Sequence, residues 1–286
     1  MDHLITTAAL AARIGGGDRH LVVLDASFYL PTEQIDPRAV FAQGHIPGAQ
    51  FFDIDQVADQ DSDLPHMLPG SAQFAEAMAA LGIGDATDVV VYDQRGLFSA
   101  ARVWWMLLVF GHERVAVLDG GLPKWRAEGR ALAVGAARPA ERGQFTARFD
   151  ASRVRDRAQV AEAVLSGDAV ILDARAPARF AGSAPEPRPG LRAGHVPGAV
   201  SMPFQTMLHE DQTLKSPEAL RAWFAAHGID GQRAVMTMCG SGVTAAVVSL
   251  GLHHAGLPMG GLYDGSWAEW GGRADCAVAT GLDGTS

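Results

Sequence analysis

The sequence predicts two tandem α/β domains, each a mainly parallel sheet flanked by helices, and three observations lead there. The chain has 286 residues and a mass of 30.1 kDa, enough for about two domains of typical size. The six residues Gly44-His45-Ile46-Pro47-Gly48-Ala49 return 150 positions later as Gly194-His195-Val196-Pro197-Gly198-Ala199. Between these landmarks, short β-branched runs bounded by Gly or Asp alternate with helical patterns. That alternation is what strands joined by crossover helices leave in a sequence.

The elements follow in chain order. Leu21-Val22-Val23-Leu24-Asp25-Ala26 returns 148 positions later as Ala169-Val170-Ile171-Leu172-Asp173-Ala174, one apolar run in each copy. In the first copy a helical pattern over 72–81 precedes the strand Val89-Val90-Val91-Tyr92, and a second over 99–110 precedes the strand Val115-Ala116-Val117-Leu118. In the second copy Ser216-Pro217 supplies a cap and a first-turn proline for a helix over 217–227. The strand Ala234-Val235-Met236-Thr237-Met238 and a helix over 243–254 come next. Leu118-Asp119-Gly120-Gly121, running on to Trp125, returns 145 positions later as Tyr263-Asp264-Gly265-Ser266, running on to Trp270. Residues 131–150 hold Gly, Pro and alternating small or charged residues without periodicity, which is linker composition. The expected division is an N-terminal domain over 1–135, a linker over 136–155 and a C-terminal domain over 156–286.

Composition excludes several classes. With 48% hydrophobic residues, 19% charged and a mean hydropathy of +0.07, each half can bury a core, which separates the chain from disordered sequences. The net charge of −9 and the absence of a dense Lys/Arg run argue against nucleic acid as a partner and against a polybasic membrane anchor. The longest strongly apolar run, Val103 to Phe110, is eight residues, short of the roughly 18–20 that span a bilayer. The opening Met1-Asp2-His3 has no basic stretch and Arg13 interrupts the first apolar segment, so no secretory leader is expected and the cytoplasm is the expected location. The two cysteines, Cys239 and Cys276, make neither a disulfide framework nor a metal-ligand spacing. No metal or organic cofactor is expected, and any cysteine chemistry is that of a single thiol.

In open parallel sheets, ligands bind beyond the carboxyl ends of strands, which points to the residues after Tyr92 and Met238. After Met238 comes Cys239-Gly240-Ser241-Gly242-Val243-Thr244, then an apolar helix. Two glycines let such a loop curl so that the N–H groups of Gly240, Gly242, Val243 and Thr244 point inward, and the helix start adds its positive dipole end. That environment lowers a thiol pKa and makes a nucleophile of Cys239. After Tyr92 the matching residue is Asp93, so the first domain carries no thiol there. Cys276 lies outside any loop–helix unit and is expected to be a bystander. A phosphatase loop would place an arginine six residues after the cysteine; here that position is Ala245, which favours sulfur transfer over phosphoryl transfer.

The tandem Gly-His-Ile/Val-Pro-Gly-Ala repeat, the Cys239–Thr244 loop and Tyr263-Asp264-Gly265-Ser266-Trp267 resemble the two-domain rhodanese superfamily over nearly the whole chain. Within it, the neutral loop is similar to that of members taking sulfur from 3-mercaptopyruvate, whereas thiosulfate-preferring members carry basic residues directly after the cysteine. The resemblance implies an enzyme in which a Cys239 persulfide carries sulfur from a small donor to cyanide or a thiol such as a thioredoxin-like reductant, releasing pyruvate. Arg179 and Arg188 fall on the family's two substrate-binding arginines, and a guanidinium fork suits a carboxylate. Asp55 and His66 fall on the aspartate and histidine that, with the loop serine, here Ser241, form a proposed proton relay. The alternatives are a thiosulfate:cyanide sulfurtransferase and a persulfide carrier or sensor without turnover. His45, His195, Arg175 and Arg192 are expected to be structural.

Overall fold

A computed structural model describes residues 2–282; Met1 and residues 283–286, the outer ends of the two expected domains, lie outside the described residues. The chain divides into two compact units. Unit 1 comprises Met1–Gln60, Leu68–Asp150 and His209–Leu214; unit 2 comprises Asp61–Met67, Ala151–Leu208 and Lys215–Ser286.

Unit 1 is built on strands β1 (Leu4–Ile5), β2 (Leu21–Asp25), β3 (Gln50–Phe51), β4 (Asp88–Tyr92) and β5 (Val115–Leu118), with helices α1 (Thr7–Gly15), α2 (Pro37–Gln43), α3 (Ser71–Ala80), α4 (Ala100–Val109) and α5 (Gly121–Ala127). The sheet order is β1-β5-β4-β2-β3 and every pair is parallel. Unit 2 repeats the plan with β6 (Val154–Arg155), β7 (Ala169–Asp173), β8 (Val200–Ser201), β9 (Ala234–Met238) and β10 (Gly261–Tyr263), and with α6 (Arg157–Ser166), α7 (Pro177–Phe180), α8 (Pro217–Ala226), α9 (Ala245–His254) and α10 (Ser266–Trp270). Its order is β6-β10-β9-β7-β8, again all parallel. The two sheets are therefore the same sheet twice.

The central strands are the ones the apolar runs marked. Val89, Val90, Val91 and Tyr92 of β4 are fully buried, as a strand covered on both faces must be. Asp25 pairs with Tyr92 and Asp173 with Met238, so Asp93 and Cys239 leave the sheet at the same register. The Ser216 hydroxyl accepts from the Ala219 N–H at 3.3 Å, with Pro217 in the first turn of α8. Helix α9 starts at Ala245, two residues later than the periodicity suggested, because Val243 and Thr244 belong to the turn that brings the loop into the helix.

The segment expected as a linker over 136–155 is fastened at both ends. Residues up to Asp150 belong to unit 1. Gly143 N–H donates to Ala79, Arg148 N–H to Phe110 and Asp150 N–H to Val109, while Phe145 packs edge-on against Phe74. Val154–Arg155 form edge strand β6. These anchors are backbone pairings and isolated aromatics, which leave no periodic trace.

Candidate active site

The loop after β9 is held from behind by the start of α10. Cys239 N–H donates to Ser266 Oγ at 3.2 Å, and Ser266 Oγ donates to the Tyr263 carbonyl at 2.8 Å. Trp267 N–H donates to the Cys239 carbonyl at 3.0 Å and Ala268 N–H to the Gly240 carbonyl at 2.9 Å. Ser266 sits at φ 48°, a left-handed conformation costly for a residue with a Cβ. Its counterpart in the first copy is Gly121, at φ 53°. The serine accepts that strain where glycine would not need to, and its hydroxyl takes the cysteine N–H. The signal was in the repeat, where Gly121 becomes Ser266, but only the dihedral reveals it. Cys239 is 2% exposed and Ser241 5%, and Gly242 supplies the φ of 75° that turns the loop into α9. Thr237 Oγ1 and Ser249 Oγ, 2.9 Å apart and buried, tie α9 back onto β9.

The corresponding loop of the first copy holds a carboxylate. Asp93 is fully buried, and its carboxylate accepts from the N–H groups of Arg95 at 2.8 Å, Phe98 at 2.8 Å, Ser99 at 2.9 Å and Ala100 at 2.9 Å. The turn and the first residues of α4 thus converge on one anion, the arrangement expected of a nest at a helix N-terminus. On the helix side Phe98, Ser99 and Ala100 correspond to Val243, Thr244 and Ala245, since α4 and α9 start 145 positions apart. In the second copy the residue at the corresponding strand end is the thiol of Cys239.

Two arginines expected at the site lie in unit 2 with the cysteine. Arg179, on α7, places Nη2 2.5 Å from Glu186 Oε2 and Nε 3.4 Å from Glu186 Oε1. Its Nη2 also stands 2.8 Å from the point where a Cβ at Gly240 would be, so the guanidinium lies directly over the residue after the cysteine. Glu186 is shared: its Oε1 accepts from Arg175 Nη1 at 2.8 Å. Arg175, with a side chain buried to 0% exposure, also forks onto Asp173, reaches the Gly194 carbonyl at 2.8 Å and stacks over Trp267. Glu186 was not singled out in the sequence, because its importance lies in joining two arginines that spacing alone does not bring together.

Arg188 places Nη2 3.0 Å from His66 Nε2. Arginine only donates, so Nε2 accepts and the proton of a neutral His66 rests on Nδ1. His66 is buried and held at φ 61°. Its counterpart 146 positions later, Gln212, sits at φ 66° with its side chain packed over Gly96 in unit 1. Asp55 belongs to unit 1 and is exposed, with its N–H on Asp53 Oδ1 at 3.1 Å. Cys276 packs in the apolar cluster with Trp267 and Trp270. His45 and His195 serve their turns: each ring nitrogen Nδ1 bonds a phenylalanine carbonyl, Phe41 or Phe180, whose ring lies stacked on the imidazole. Arg192 donates to the carbonyls of Gly271, Trp270, Arg273 and Cys276.

The Rhodanese-like domain model matches residues 6–128 and 156–273. The chain belongs to the rhodanese family. Among curated relatives of this rhodanese, the 3-mercaptopyruvate sulfurtransferase of Homo sapiens is 44% identical over 268 residues, covering 93% of this chain and 90% of that protein. The thiosulfate sulfurtransferase of Bos taurus is 43% identical over 267 residues, covering 92% and 88%. The crystal structure of SseA from Escherichia coli, described among 3-mercaptopyruvate sulfotransferases, superposes with a TM-score of 0.84 at 39% identity, covering 93% of this chain and 99% of that one. Relatives with different donors in their names stand at nearly equal identity, so the donor has to be argued from the site.

Proposed function

We propose that this rhodanese takes sulfur from 3-mercaptopyruvate through Cys239 and passes it to a thiol acceptor. The observation that carries the donor assignment is the Arg179 guanidinium standing over a neutral Cys239-Gly240-Ser241 loop. A compact dianion such as thiosulfate gains most from cations on the loop itself, whereas mercaptopyruvate carries its charge on a carboxylate several bonds from the sulfur. Arg179 and Arg188 are the groups proposed to grip that carboxylate and the adjacent carbonyl.

The Cys239 thiolate attacks the donor sulfur, the carbon–sulfur bond breaks, and its electron pair moves onto carbon to give the enolate of pyruvate. The enolate takes up one proton and leaves as pyruvate, while Cys239 becomes a persulfide. An acceptor thiolate then attacks the outer sulfur and returns Cys239 as thiolate; cyanide attacking the same atom leaves as thiocyanate. The inward N–H groups of Val243 and Thr244, with those of Gly240 and Gly242, stabilise the anionic sulfur. Ser241 donates to the enolate oxygen as charge develops there. His66, through its Nε2, sets the direction of Arg188, and in the proposed Asp55–His66–Ser241 relay that same Nε2 gives up Arg188 to take the proton of Ser241. A thioredoxin-like reductant is the proposed acceptor and the cytoplasm the proposed compartment. No helix among the described residues is long and apolar enough to cross a membrane.

The test compares kcat/KM for 3-mercaptopyruvate and thiosulfate in wild type, Arg188→Ala and the double variant Gly240→Arg/Ser241→Lys. Losing one charge-assisted contact should cost about tenfold or more with mercaptopyruvate. The double variant should move preference toward thiosulfate. A wild type that prefers thiosulfate, with Arg188→Ala equal to it on mercaptopyruvate, would overturn the donor assignment.

A further inference from the structure

Glu186 and Gly240 meet at one place, the Arg179 guanidinium, and neither has a local reason to be what it is. Gly240 is absent from the left-handed region of backbone space that several other glycines occupy, so its φ would accept a side chain. The three atoms nearest to a Cβ there all belong to Arg179: Nη2 at 2.8 Å, then Cζ at 3.8 Å and Nη1 at 3.9 Å. Glu186, its side chain 2% exposed, is a carboxylate in the interior that binds two cations at once, Arg175 and Arg179. Arg175 is fully buried and pinned by Asp173, which makes Glu186 a fixed post, whereas Arg179 keeps 22% exposure.

We infer that Glu186 and Gly240 together form a seat for Arg179. Glu186 is a positioning residue that holds the guanidinium over the loop, and Gly240 leaves the guanidinium its space. A side chain at 240 requires Arg179 Nη2 to shift from the place where it meets Glu186. A basic residue at 240 therefore acts twice, by adding a cation for a compact dianion and by unseating the carboxylate clamp. Arg179 released from Glu186 would sample many rotamers, and the donor would have to order it on binding, so the cost falls on donor binding. This rests on the reading that Arg179 binds the donor carboxylate.

The experiment measures kcat and KM for 3-mercaptopyruvate in Arg179→Ala, Glu186→Gln, Gly240→Ala and the two doubles that combine Arg179→Ala with each of the others. Glu186→Gln keeps the shape but loses the charge-assisted pair, and should raise KM about tenfold with a smaller change in kcat. Gly240→Ala should do the same, and neither should add a further loss in the Arg179→Ala background, because the residue through which both act is gone. Alkylation of Cys239 by the neutral reagent iodoacetamide at wild-type rate in both single variants would show that the loop itself is intact. If Arg179→Ala lowers kcat/KM but Glu186→Gln and Gly240→Ala do not, or if their losses add to it, the seat is wrong while the clamp stands. If Arg179→Ala keeps full kcat/KM, the clamp falls and the seat with it. Should Glu186→Gln fail to fold, Gly240→Ala and its double decide alone.

Discussion

The loops after β4 and after β9 leave identical sheets at the same register, and they differ in what lies at their base and by one residue in the run to the helix, seven positions from Asp93 to Ala100 against six from Cys239 to Ala245. After β4 it is Asp93, whose carboxylate collects four backbone N–H groups within its own loop and helix start. After β9 it is the thiol of Cys239. The comparison teaches that the turn and helix start of the first copy make an anion cradle, and the proposed function gives the shorter second loop the same task. One copy fills it permanently with a side chain, and in the proposed chemistry the other lends it to an anionic sulfur. A second pair makes the same point about charge. Asp25 and Asp173 end equivalent strands, but Asp25 is bound by the neutral groups of Ser27 and Gln94, while Asp173 is forked by Arg175. The second copy meets its strand-end aspartate with a buried arginine, the first with neutral donors.

The largest effect that would sharpen the comparison is on chemistry. Cys239→Ser should abolish sulfur transfer, whereas Cys276→Ser, in the apolar cluster, should retain most of it. Near-normal pyruvate release by Cys239→Ser would remove the distinction between the copies. Next comes the buried charge. Asp173→Asn leaves Arg175 without its principal partner and should cost about 3–5 kcal/mol of stability, read as a lower denaturation midpoint.

Asp93→Ala, which strips the first cradle of its internal anion, should cost about 3 kcal/mol, since buried N–H groups lose a charged acceptor. Added sulfate should raise the midpoint of that variant more than that of wild type. An equal response to sulfate would mean that the cradle is not anion-selective. The smallest effect is expected at Asp25, where burial raises the carboxyl pKa against the hydrogen bonds of Ser27 and Gln94. A carboxyl raised in the folded state adds stability below its unfolded pKa and loses it as pH rises through the folded value. Asp25→Asn should therefore stay within about 1 kcal/mol of wild type and gain on it as pH increases. A loss that grew with pH would show that Asp25 has a cationic partner after all.

Much of this was legible because the repeat is written twice. The apolar runs marked β4, β5 and β9, Ser216-Pro217 marked the start of α8, and the place directly after each strand matched Asp93 with Cys239. What the sequence hid is of two kinds. Edge strand β6 is two residues long and the segment over 143–150 is held by backbone hydrogen bonds, so neither imposes a period. Glu186 and Ser266 matter through a partner and a dihedral angle respectively, and each reads as an ordinary loop residue until the chain is folded.

Intact mass and peptide mapping after incubation with 3-mercaptopyruvate, without an acceptor, test the central claim most directly. Wild-type protein should gain one sulfur atom, located on the peptide that contains Cys239, with pyruvate released in equal amount, and Cys239→Ser should gain none. Pyruvate release with no sulfur on Cys239, or with the added sulfur on Cys276, would contradict it.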